Sequence, residues 1–71
     1  MLSDYENAKK RFCAVRDSIS PVDHPVAYRE AFCTAYRFYR DYTVDEAIGI
    51  LLEYEAGSEK ARTILLNYQR R

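Results

Sequence analysis

Apolar positions recur with helical spacing along almost the whole chain. Tyr5, Ala8, Phe12, Val15 and Ile19 lie three or four residues apart and form one stripe, with Lys10, Ala14 and Asp17 on the opposite side. Ser3-Asp4-Tyr5-Glu6 fits a capping box, with Ser3 as N-cap and Glu6 reaching back to it. Ser20 precedes Pro21 and is biased away from helical geometry. The first helix is therefore predicted over about 4–19.

Ser20 to His24 reads as a short loop, and Pro25 sits where the first turn of a helix tolerates proline, with Asp23 or His24 as the cap. The following PVAYREAFCTAYRFYRDY predicts a second helix over 25–42. On that helix Tyr28, Ala31, Phe32, Ala35, Tyr36, Phe38, Tyr39 and Tyr42 spread over roughly half the circumference, wider than an ordinary surface stripe. Alanines between large rings let neighbouring helices approach closely and interdigitate. This helix is expected at the centre of the fold, joined to the first as an antiparallel hairpin by the short loop.

Thr43-Val44-Asp45-Glu46 is a second capping box. It starts a third helix, over 44–56, whose inner face is Val44, Ala47, Ile48, Leu51 and Leu52. Gly49 inside it suggests close packing. Gly57 fits a left-handed C-terminal cap, and Ser58 suits the N-cap of a further helix. Ala61, Ile64, Leu65 and Tyr68 stripe this fourth helix, over 59–69. No strand pattern, internal repeat or low-complexity run is found. The expectation is an all-α fold, a single domain over 1–71: a small four-helix bundle of two long helices and two shorter ones.

Composition narrows the class further. The 48% hydrophobic and 31% charged residues belong to a globular chain rather than a disordered one. At 71 residues the core is near the lower size limit for unassisted folding, so a second copy or a partner is expected to contribute. Seven Tyr and three Phe suit half-buried surfaces. The formal net charge of +0 gives no global pull toward nucleic acid or anionic lipid. Charges are segregated locally: 43–59 holds acids without bases, and 60–71 holds bases without acids. The N-terminus has no signal-peptide core and no run approaches a membrane span, which predicts a cytoplasmic protein without membrane contact.

Candidate chemistry is sparse. The only histidine, His24, sits between Asp23 and Pro25, where a turn or capping role outweighs acid–base work. His24, Cys13 and Cys33 lack metal-ligand spacing, and no Gly-rich phosphate loop or activated nucleophile occurs. Cys13 and Cys33 fall at similar height in the expected hairpin, about 100° around their helices from the core centre, and read as reduced and half-buried. A thiol switch would need them to pair. The expectation is a non-enzymatic protein with no cofactor and no metal.

Two surfaces suggest binding. Arg29, Arg37 and Arg40, with Lys9, Arg16 and tyrosines nearby, make an Arg/Tyr face of the kind enriched at interface centres. Ala27, Phe38, Ile50, Tyr54 and Leu66 fall outside the narrow inner stripes and are expected to meet a second subunit or a partner. The leading reading is a small stand-alone protein-protein interaction module that modulates or inhibits a partner protein, with a homodimer as a further option. By analogy alone, phage-encoded inhibitors of host machinery are one such class. Its expected contacts are Arg29, Arg37, Phe38, Arg40, Ile50 and Tyr54. The alternative is a DNA-binding transcriptional regulator. It would use the third and fourth helices as a helix-turn-helix that presents Lys60, Arg62, Thr63 and Asn67. The acidic outer face of the third helix and the neutral charge weigh against it.

Overall fold

A computed structural model describes residues 3–69, folded into five helices: α1 (Asp4–Ser18), α2 (Pro25–Cys33), α3 (Tyr36–Asp41), α4 (Val44–Glu55) and α5 (Glu59–Leu66). The all-α class is as expected. The simple four-helix arrangement is not what forms, because the helix expected over 25–42 is two helices separated at Thr34 and Ala35, both in extended conformation.

Hydrogen bonding explains how the chain tolerates this break. In one continuous helix the Ala31 carbonyl would accept from the Ala35 N–H. Instead the Tyr39 hydroxyl donates to the Ala31 carbonyl at 2.7 Å, and the Ala35 N–H donates to the carbonyl of Tyr68. The Glu30 carbonyl accepts from both the N–H and the Oγ1 of Thr34. Back-bonding of this kind by a β-branched residue weakens helix continuity. Gln69 forms an isolated antiparallel bridge with Thr34, so the end of the described chain lies across the junction.

The break also resolves the breadth of the apolar face. Along α2, Tyr28 and Phe32 run back past α1, and Phe12 meets Phe32 with ring centroids 5.3 Å apart. The chain then reverses, so that α3 returns along α1 with Tyr36 near Tyr5 and Tyr39 near Phe12. The expected hairpin partner of α1 is thus largely replaced by α3, its main neighbour. The core consists of Ala8 and Val15 from α1 with Ile19 just after it, Ala27 and Ala31 from α2, Phe38 and Tyr39 from α3, Ala47 and Leu51 from α4, and Leu65 from α5.

Several sequence expectations are corrected. Phe38 and Ala27, assigned to a surplus outer surface, are fully buried. The Phe38 ring lies within 5.7 Å of the rings of Tyr39, Tyr42 and Tyr68, which close over it once α3 turns. Tyr5, Phe32 and Tyr36, assigned to the core, are exposed. The fourth expected helix stops at Leu66, because residues 67–69 leave the helical path to reach the α2–α3 junction. Gly49 does not serve close packing: a Cβ built there meets nothing within 4 Å.

Capping follows the sequence more closely. The Ser3 hydroxyl accepts from the Glu6 N–H, Thr43 and Glu46 close a full reciprocal box, and the Ser58 hydroxyl accepts from the Ala61 N–H. Gly57 takes φ 95°, the left-handed conformation that ends α4. No helix among the described residues is long and apolar enough to cross a membrane.

Candidate functional site

The reversal between α2 and α3 leaves an open groove of about 360 Å³ against α1. Its floor is made of small or buried residues, namely Ala8, Ala31, Thr34, Ala35 and Tyr39. Two edge-to-face pairs close its ends: Tyr5 with Tyr36 at 5.7 Å, and Phe12 with Phe32 at 5.3 Å. Tyr28 extends the second pair, 5.2 Å from Phe32. Three rings of these walls stay open to solvent, Tyr5 at 59%, Tyr36 at 48% and Phe32 at 44% relative exposure. Lys9 is the charged side chain of the lining. The guanidinium of Arg16, itself hydrogen-bonded to Asp17, lies 5.8 Å from the centre of the Phe12 ring at the far end.

Local structure positions each wall. Tyr5, Lys9, Phe12 and Arg16 recur at three- and four-residue intervals and therefore share one side of α1. Phe32 lies in the last turn of α2 and Tyr36 begins α3, so the extended Thr34–Ala35 junction directs the two rings to opposite ends of the same groove. The Tyr39 hydroxyl anchors the floor from beneath, and burial pushes its pKa up, which keeps it protonated as a donor.

The sequence-predicted contact residues do not converge on this groove. Phe38 is buried, and Ile50 and Tyr54 are half-buried on α4, packed against the core. Arg37 is exposed but committed to the fold: it donates to the Asn67 carbonyl at 3.1 Å and lies 5.5 Å over the Tyr68 ring. Arg40 pairs with Asp41 at 3.0 Å, and Tyr68 donates to the other oxygen of the same carboxylate at 2.8 Å. The Arg40 and Tyr68 hydrogen bonds hold the Asp41 carboxyl below its usual range. Arg29 is exposed on α2.

The DNA-contact candidates Lys60, Arg62 and Thr63 are exposed on α5, with Asn67 exposed just beyond it. The Thr63 hydroxyl turns back to the Glu59 carbonyl, and the Asn67 carbonyl is taken by Arg37. Asp45 and Glu53 are exposed on α4, the helix that would cross the phosphates in that reading.

Cys13 and Cys33 are free thiols, half-buried and exposed respectively. No group of three or more His, Cys, Asp or Glu side chains among the described residues is placed to hold a metal ion. His24 stands at the N-cap of α2, but the cap itself comes from elsewhere. The Glu55 carboxylate at the end of α4 meets His24 Nδ1 at 2.7 Å and accepts from the Val26 and Ala27 N–H groups at 2.8 and 3.4 Å.

The sequence pattern places Lys9 and Arg16 on an Arg/Tyr surface but assigns Tyr5, Phe12, Phe32 and Tyr36 to the core. The excess breadth of the apolar face over 28–42 is the signal that one straight helix could not bury it. Comparison with protein-family models, with curated proteins and with solved structures finds no match, and the functional reading rests on this geometry alone.

Proposed function

We propose that this protein is a non-enzymatic protein-protein interaction module, and that the aromatic groove between α1 and the α2–α3 junction is its contact surface. It would modulate or block a partner by occupying that partner's surface. The observation that carries the reading is the set of exposed rings Tyr5, Phe32 and Tyr36 around the groove. Aromatic side chains held open to water at a concave site are the usual energetic centre of an interface, where Tyr is enriched. The surface lies away from the contact residues that the sequence pattern suggests, since Phe38 is buried and Arg37 and Arg40 are engaged internally.

Affinity capture with tagged protein, with and without nuclease, tests this. The comparison uses wild type, a Phe32→Ser/Tyr36→Ser double variant, and Leu66→Ser, which alters an exposed apolar residue on α5. The expected result is a stoichiometric protein retained by wild type and Leu66→Ser, insensitive to nuclease, and lost from the double variant. Retention by the double variant removes the groove from the reading. Material that disappears with nuclease would instead favour Lys60, Arg62, Thr63 and Asn67 as nucleic-acid contacts.

A further inference from the structure

We infer that the groove receives an apolar anchor from an acidic segment of a partner protein, a large side chain flanked by Asp or Glu, with Lys9 meeting the carboxylate. This inference rests on the interaction-module reading and specifies the partner's chemistry.

Dimensions limit what can enter. Tyr5 and Phe12 stand two helical turns apart on α1, about 10 Å along the axis. Each is met across the groove by a ring from the other wall, so the space between the two pairs is closed at both ends. A volume of about 360 Å³ is at the small end for ligand sites, which run from roughly 300 to 1,000 Å³. One or two side chains presented a helical turn apart fill such a space, as when a helix lays its apolar face in a groove. The alanines of the floor let that anchor sink between the rings, whose edges favour an edge-to-face guest.

Charge selects among apolar guests. Lys9 is exposed, lines the groove, and forms no ion pair among the described residues. Of the acidic residues of α1, Asp17 is paired with Arg16, Asp4 lies on the side facing the Arg40 end of α3, and Glu6, one turn from Lys9, forms no ion pair with it among the described residues. The Arg16 guanidinium beyond Phe12 is already paired with Asp17, so the attraction is assigned to Lys9. A segment carrying Asp or Glu beside its anchor gains an attraction there, whereas one carrying Lys or Arg meets a like charge.

Selection from a phage-displayed library of random twelve-residue peptides tests the inference, using immobilised wild type and Lys9→Glu in parallel. Wild type should enrich peptides with an aromatic or leucine anchor next to Asp or Glu. Their binding should weaken at least tenfold with Lys9→Glu and fall as salt is raised. Lys9→Glu should enrich peptides with Lys or Arg in place of the acid. Peptides without acidic bias, peptides indifferent to Lys9→Glu, or no peptide displaced by groove substitution would overturn the inference. A captured partner that needs Phe32 and Tyr36 but ignores Lys9→Glu would overturn the charge assignment while leaving the interaction-module reading intact. Loss of dependence on all three residues would remove both.

Discussion

The Tyr39 hydroxyl occupies, in hydrogen-bonding terms, the place of the Ala35 N–H in an unbroken helix. Its ring fills the core beside Phe12 and Phe38, while its oxygen satisfies the buried Ala31 carbonyl. Tyr39→Phe keeps the ring and orphans that carbonyl. The expected loss is about 1–3 kcal/mol, read as a lower urea midpoint at unchanged slope. Gly49 is the opposite case. It sits in the middle of α4, has φ in the ordinary helical range, and leaves open space around an added methyl. Gly49→Ala is expected to raise stability by roughly 0.5–1 kcal/mol by removing backbone freedom from the unfolded chain, measured in the same titration. Neither role is visible from spacing: Tyr39 and Gly49 both fit a continuous helix, and only the tertiary path separates a hydroxyl that replaces a backbone donor from a glycine that packs nothing.

Among the elements, the α2 N-terminus and the α4 C-terminus are joined by Glu55. Burial works against this carboxylate, but the His24 hydrogen bond and the Val26 and Ala27 N–H groups outweigh it and hold its pKa below the ordinary value. A carboxyl depressed in the folded state stabilises at any pH above its unfolded value, and that contribution is lost as pH falls through the lower folded value. Glu55→Gln should therefore melt earlier than wild type at neutral pH. The gap between their melting temperatures should close as pH is taken below about 4, under the usual Glu range. Asp41 and Glu46 are shifted the same way, so an acid limb should survive in the variant. A gap constant down to strong acid would show that Glu55 acts by packing rather than by charge. Such long-range caps explain which elements were legible. The Thr43–Glu46 box and Gly57 are local in sequence and fell where expected. The junction at Thr34–Ala35 depends on Tyr39 and Tyr68, and no local signal marks it beyond a β-branched residue and an apolar arc too broad for one helix.

For the whole molecule, the accessible surface is 4850 Å², against roughly 4,600 Å² for a compact monomer of 8.4 kDa. The chain covers itself about as well as a free-standing protein should, in contrast to the shortfall its length suggested. Thermal midpoints are accordingly expected to be independent of protein concentration over a hundredfold dilution. A midpoint that rises with concentration would show that a second copy is part of the folded state. The aromatic load is what the sequence revealed of the site, and its partition was not. Phe38 went inward and Phe32 outward because the chain reverses between them, a consequence of the path rather than of either residue's chemistry.

The seal at that reversal also sets an order of events for a growing chain. The Ala35 N–H and the Thr34 bridge find their partners in Tyr68 and Gln69, half a chain away. Contacts so distant in sequence form late, after local helices have already appeared. On a ribosome α1 and α2 can coil as they emerge and Tyr39 can reach the Ala31 carbonyl, but the Ala35 N–H and the Thr34 bridge have no partner until residues 67–69 are clear of the tunnel. Chains terminated before Tyr68 would keep this junction open to water and to proteases, so their removal would be rapid even though most of the core sequence had been made.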